Sequence, residues 1–249
     1  MSDKAVKSAR RVFEVLEHFD RERRPLSLKE IAGQLGYPAS SASVLLKSIV
    51  ALGYLDYDRA HRAYFPTMRI AALGSWVHRA LFGESDVANL MQHLRAATDE
   101  TIILAAQSDL HAQYVHVVGG ADSLQVAAPP GARRPLGKSG MGWLLLSARS
   151  DREIEVMRRR INAEPDQQPK LTKAELTERV NAVRGLGYVF SKHTVSEGAG
   201  VIACLLPRGP FGRTFAIGVG GPVWRLEANE AIILHELRSG IGRFTEPDE

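Results

Sequence analysis

The sequence predicts a winged helix-turn-helix of mixed α and β structure, then a single linker helix, then an α+β domain built on a largely antiparallel sheet. Three observations carry that reading. Two short helical patterns joined at a glycine lead into a stretch of alternating large apolar and polar residues. The positive charge is concentrated near the start: residues 1–83 hold 13 lysines and arginines against 8 acidic residues, and the remainder holds 19 against 20. From residue 85 onward strands follow one another between helices, without the regular βαβ alternation that a parallel sheet requires.

With 249 residues, 45% of them apolar and 24% charged, the chain has room for two domains and enough apolar material to bury their cores. In SARRVFEVLEHFDRE, the residues Val12, Phe13, Val15, Leu16 and Phe19 recur at helical spacing, so a first helix is expected with these on its buried face. Ser27 followed by Glu30 forms a capping box that opens a second helix, which should bury Leu28, Ile31, Ala32 and Leu35 and stop at Gly36. Pro38, Ala39 and Ser40 start a third helix expected to bury Val44, Leu45, Ile49 and Leu52. The alternating run YLDYDRAHRAYFP then reads as a two-stranded wing with DRAHR at its tip. These segments make a winged helix-turn-helix module of residues 1–66, whose excess of positive charge suits a polyanion.

Residues 67–83, TMRIAALGSWVHRALFG, form the linker helix. Its apolar residues cover more than one face, which suits a helix packed against a partner chain. Residues 84–249 make the second domain. There DVANLMQHLRAATDE, MGWLLLSA, TKAELTERVNAVRGLG and EANEAIILHELRSGIGRF read as helices, the third ended by Gly185 and Gly187. TIILAAQS, QYVHVVGG, SLQVAAPP, YVFSKHT, GVIACLLPRG and RTFAIGVGG read as strands.

Several chemistries are excluded. The sole cysteine, Cys204, leaves no disulfide framework within the chain and no cysteine-rich zinc site; it reads as a small buried hydrophobe in a reducing cytoplasm. No apolar run approaches the roughly 18 residues of a membrane span, and the N terminus lacks the apolar centre of a secretory signal. No HExxH pair and no Gly-x-Ser-x-Gly elbow is present, and GVGGPV is not expected to lead into a helix as a dinucleotide fingerprint would. GARRPLGKSG resembles a phosphate-binding loop, yet Ala132 stands where its first glycine must be and Pro135 removes a backbone donor. An enzyme, a resident cofactor or metal, and catalytic residues are therefore not expected. His116 and His193 would reach the second domain's pocket only if their strands face inward.

The order of a first helix, RPLSLKEIAGQLGYP, SSASVLLKSIVALGYLDYD and a linker helix, and then PLGKSGMGWLLLS, RGLGYVFSK, GVIAC and AIGVGGP, resembles the IclR family of bacterial transcriptional regulators along nearly the whole chain. The resemblance implies a winged helix-turn-helix that binds double-stranded operator DNA. It also implies a C-terminal GAF-like or PAS-like domain that binds a small-molecule effector and helps assemble homodimers or dimers of dimers.

In such a module the start of the third helix faces the major groove. The expected base-facing residues are then Ala39, Ser40, Ser41, Ser43 and Lys47, with Val44 read as more at home in the core. Lys47, Arg10, Arg11, Arg59 and Arg62 are the expected phosphate contacts. By resemblance, PLGKSGMG is the loop whose backbone amides receive an acidic group of the effector, which singles out Ser139, Gly140 and Met141. The sequence departs from small-acid-binding members at four positions, where Ser191, Val201, Gly218 and Gly220 replace more polar or bulkier residues. Fewer polar groups and more volume imply an effector bulkier or more apolar than a short oxoacid, lined in part by Val126 and Met141. The alternative is a vestigial pocket.

Overall fold

The structure is a computed structural model; residues 6–82, 87–119, 129–165, 169–208 and 212–245 are described. The chain divides into two compact units, Met1–His78 and Arg79–Glu249, with the division falling inside a helix.

The first unit runs α1 (Lys7–Glu22), β1 (Leu26–Ser27), α2 (Leu28–Gln34), α3 (Ala39–Ala51), β2 (Leu55–Asp58) and β3 (Ala63–Pro66), and α4 (Met68–Phe82) leads out of it. The capping box at the start of α2 forms as the sequence implies: the Glu30 amide donates to Ser27 Oγ, and the Glu30 carboxylate accepts from the Ser27 amide at 2.8 Å. Gly36 follows with φ +66°, a left-handed turn that a side chain would strain. β2 and β3 pair antiparallel as the wing, and β1 adds to the far side of β3. The core of the unit joins Val15 and Phe19 of α1, Leu26, Ile31 of α2, Leu46 and Ile49 of α3, Leu55 and Tyr64.

Three side chains depart from the expected core. Phe13, Val44 and Leu52 are 64%, 67% and 61% exposed. In α3 the buried line is Ala42, Leu46 and Ile49, spaced four and three apart, and Val44 lies on the opposite side of that line. The run Val44-Leu45-Leu46 offers three apolar residues to a helix face that has room for fewer, and packing against α1 and α2 selects Leu46. His18, which no apolar pattern marks, is buried in their place.

The second unit holds α5 (Val87–Thr98), β4 (Thr101–Ser108), β5 (His111–Val118), β6 (Arg133–Pro135), α6 (Gly140–Ser147), α7 (Asp151–Ala163) and α8 (Lys173–Leu186). It continues with β7 (Val189–Lys192), β8 (Ala199–Leu205), β9 (Phe215–Pro222), α9 (Val223–Ala228) and α10 (Glu230–Thr245). All six strands form one antiparallel sheet in the order β6-β5-β4-β9-β8-β7. Alternation along each strand divides it between two cores. Ile103 and Ala105 of β4, Ala203 of β8 and Ala216 of β9 face α6, α7 and α8. Ile102 and Leu104, Ile202 and Cys204, and Ile217 and Val219 face α5, α9 and α10.

Two expectations are corrected by the structure, and two elements are added to them. Gly185 lies within α8, and only Gly187, with φ +75°, caps it. A helix does follow GVGGPV: the six-residue α9 starts at Val223 directly after Pro222. It makes no dinucleotide site, because β9 is hydrogen-bonded to antiparallel neighbours on both sides and no parallel βαβ unit exists around it. Finally, α7 and β6 carry no helical or strand assignment in the sequence reading. The strand expected over SLQVAAPP, with Val126, lies for most of its length outside the described residues.

Candidate DNA-reading and effector sites

In the first unit, the side of α3 turned away from the core presents Ser40, Val44, Lys47 and Ser48, with Ala39 also exposed and Ser41 and Ser43 half-buried. Ser48 donates from its hydroxyl to the Val44 carbonyl at 2.9 Å, leaving the Val44 methyls as the apolar point on an otherwise small and polar stripe. Ser43 and Lys47 share a groove with Lys29, Tyr57, Tyr64 and Arg62, so α3 and the wing border one cleft with three cations around it. Neither Lys47, Arg59 nor Arg62 pairs with an acid among the described residues.

The wing tip is organised by Asp58, whose carboxylate accepts from the Ala60 amide at 2.8 Å and sits 2.6 Å from His61 Nδ1. That contact raises the His61 pKa and lowers that of Asp58. Arg10 and Arg11 are already engaged within the unit. Arg10 pairs with Glu14 at 3.7 Å, and Arg11 lies 4.6 Å over the ring of Tyr37, whose hydroxyl donates to the same Glu14. Burial first, and then Glu14, push the Tyr37 pKa up to about 12.

In the second unit a cavity of about 40 Å³ opens between the start of α6 and the sheet. Ser139 is the N-cap of α6: its Oγ accepts from the Gly142 amide at 3.2 Å and donates to the Pro135 carbonyl at 2.8 Å. The amides of Gly140 and Met141 have no acceptor among the described residues, as expected of a first helical turn. Gly140 is required by a close approach. A Cβ built there would stand 2.3 Å from Ser191 Oγ and 2.5 Å from Ser191 Cβ.

Across the sheet Ser191 pairs with Val201 and Val201 with Gly220, which sets the three in one row on the α6 face. Ser139, Gly140, Met141, Ser191, Val201 and Gly220 therefore line one cavity, and Val126 lies outside the described residues. Gly218 does not line it. The volume expected from the glycines is taken by neighbours: a Cβ on Gly218 would meet Met141 Cε at 2.7 Å, and one on Gly220 would meet Ile103 Cδ1 at 3.0 Å. His116 and His193 are also absent from the lining; both are exposed, and His193 Nδ1 accepts from the Gly198 amide at 3.0 Å.

Sequence reasoning missed Ile103, Tyr114, Arg134 and the turn Thr194-Val195-Ser196, all of which line the cavity. Alternation along TIILAAQS could have found Ile103. The other face holds Cys204, whose thiol is raised to about 11 by burial, the state of an inert structural thiol. Among the described residues no cluster of three or more His, Cys, Asp or Glu could hold a metal ion, and no helix is long and apolar enough to cross a membrane.

Residues 8–59 match the model of the IclR helix-turn-helix domain, and residues 84–240 match that of the bacterial transcriptional regulator IclR C-terminal domain. The chain belongs to the IclR family. As an IclR-family chain it is a DNA-binding transcriptional regulator.

Among its relatives is the HTH-type transcriptional regulator KdgR of Dickeya chrysanthemi, 25% identical over 80% of this chain and 65% of the relative. Another is the transcriptional repressor IclR of Escherichia coli, 24% identical over 89% of this chain and 82% of the relative. The solved effector domain of an IclR regulator from Acinetobacter sp. ADP1 is 29% identical, with a TM-score of 0.62, and covers 68% of this chain and 99% of its own. The Thermotoga maritima IclR structure, at 16% identity and a TM-score of 0.64, spans 96% of this chain and 99% of its own and shares its fold.

Proposed function

We propose that this regulator reads operator DNA with α3 and the wing and is controlled by a small-molecule effector held at the start of α6. On the DNA side, Ala39, Ser40, Ser41 and Ser43 supply base or phosphate hydrogen bonds, and the exposed Val44 offers an apolar contact of the kind a thymine methyl accepts. Lys47, Arg59 and Arg62 anchor phosphates; Arg10 and Arg11 add charge behind them, held by Glu14 and Tyr37. The exposed apolar residues of α4, Met68, Leu73 and Trp76, supply a homodimer contact, with a dimer of dimers as the larger assembly.

The observation that carries the effector reading is the pair of amides on Gly140 and Met141 with no acceptor among the described residues, on two residues that line a cavity whose other walls include Ile103, Val195 and Val201. The effector therefore has an apolar body and a polar acceptor at one end. Met141, with its unbranched and flexible side chain, is the part of the wall best able to move aside for a larger body. A vestigial pocket is the second reading, favoured by the same Met141 methyl filling the space beside Gly218.

Binding of the protein's own upstream intergenic DNA, followed by fluorescence anisotropy across salt concentrations, tests the DNA half. A dimer touching on the order of 6–10 phosphates loses about 10³–10⁵ in affinity between about 50 and 200 mM salt, and Lys47→Ala or Arg62→Ala shallows that slope. An affinity independent of salt refutes it.

A further inference from the structure

Arg134 is the one charged residue that lines the α6 cavity among the described residues, and no acid lines it. It stands on β6 opposite Ala112 of β5, and its guanidinium lies over the ring of Tyr114, 5.3 Å from the centroid. Its Nε is buried and has no hydrogen-bond partner. Only that nitrogen is shielded, the residue as a whole being half-buried, and a shielded donor with no partner calls for a group that completes it. The aromatic stack fixes the plane of the guanidinium, and a planar fork of N–H donors matches a planar pair of oxygens.

We infer that Arg134 takes the carboxylate of the effector and makes the site selective for carboxylic acids over their neutral analogues. The inference rests on the reading of the α6 cavity as the effector site. Arg134 over Tyr114 supplies the full charge, and the start of α6, which lines the same cavity, supplies partial charge. Ile103 and Val201 then meet the body of the acid.

The test uses the full-length protein with propanoate, butanoate and benzoate, each beside its primary amide, and with inorganic phosphate, read by thermal unfolding and calorimetry. At least one carboxylate should bind and its amide should not. Arg134→Gln should weaken that carboxylate about tenfold to a hundredfold, the range for a hydrogen bond to a charged group. Arg134→Lys, which keeps the charge and loses the fork, should fall between the two and serves if the glutamine variant does not fold.

Equal binding of acid and amide, or an unchanged affinity in Arg134→Gln, overturns the assignment of Arg134 while leaving the cavity as the effector site. A response to phosphate alone overturns the carboxylate. Binding by none of the probes overturns both the inference and the effector reading beneath it.

Discussion

Replacing Gly140 by alanine tests a close approach in the wall of the α6 cavity. The added methyl would stand 2.3 Å from Ser191 Oγ and 2.5 Å from Ser191 Cβ, against 3.4 Å from the Val189 methyl, so the conflict is with one residue. Ser191 is buried on β7, hydrogen-bonded in the sheet to β8, so its hydroxyl can turn about χ1 but its Cβ cannot leave without moving a strand or the start of α6. Overpacking of this kind costs about 1–3 kcal/mol. In a domain of this size that lowers the melting temperature by about 2–12 °C.

Ser191→Ala would keep the Cβ and relieve only part of the conflict, whereas Ser191→Gly removes both atoms. The Gly140→Ala/Ser191→Gly double variant should therefore be more stable than the two single losses added together, by a coupling of about 1 kcal/mol or more. Thermal and urea unfolding followed by circular dichroism measure all four corners of the cycle. Gly33→Ala, with nothing within 4 Å of the added methyl in helix α2, is the control, and it should be neutral or slightly stabilising. Additive losses in the cycle, or a Gly140→Ala protein as stable as the parent, would refute the packing described for the site.

Two further outcomes are expected. His18 is buried with its Nε2 unpartnered, and burial holds its pKa below the usual 6.5 despite the opposing field of Glu22. The unfolded chain therefore binds the proton more readily, and stability conferred by neutral His18 is present above pH 6.5 and is lost as the pH falls below that value and through the lower folded-state pKa. Urea midpoints at pH 7.5 and 5.5 should converge in His18→Gln, and an equal pH dependence in the variant would assign the titration elsewhere. Trp76→Glu places a charge on the 62%-exposed apolar site of α4 and should convert dimers to monomers by light scattering; an unchanged mass excludes Trp76 from the subunit contact.

Much of this architecture was legible because local signals agreed with packing. TIILAAQS is β4 residue for residue, and the Ser27–Glu30 box starts α2 where the spacing puts it. The row Ser191, Val201, Gly220 was found through family resemblance, and strand register explains why three distant segments meet. What failed did so for identifiable reasons. DREIEVMRRRINA is too polar to stand out, and its readable signals were the Ser150–Glu153 capping box and the seven-residue spacing of Ile154 and Ile161. β6 is three residues long and exists by pairing with β5, so no propensity marks Arg134 as lining a cavity. The room expected at Gly218 depended on where Met141 turns, which a flexible side chain does not disclose in sequence.

Ile102 and Ile103 are consecutive, yet they belong to different cores: Ile103 lines the α6 cavity, and Ile102 packs with Val87, Met91 and Leu94 of α5. One peptide unit thus spans the thickness of the sheet, and a force that displaces the Ile103 side chain is felt by its neighbour as a change of backbone tilt. α5 is the second unit's element nearest in the chain to α4 and the DNA-reading half. Within the second unit the cavity wall and the packing of α5 therefore share β4, joined by a single covalent bond rather than by a relay of side chains.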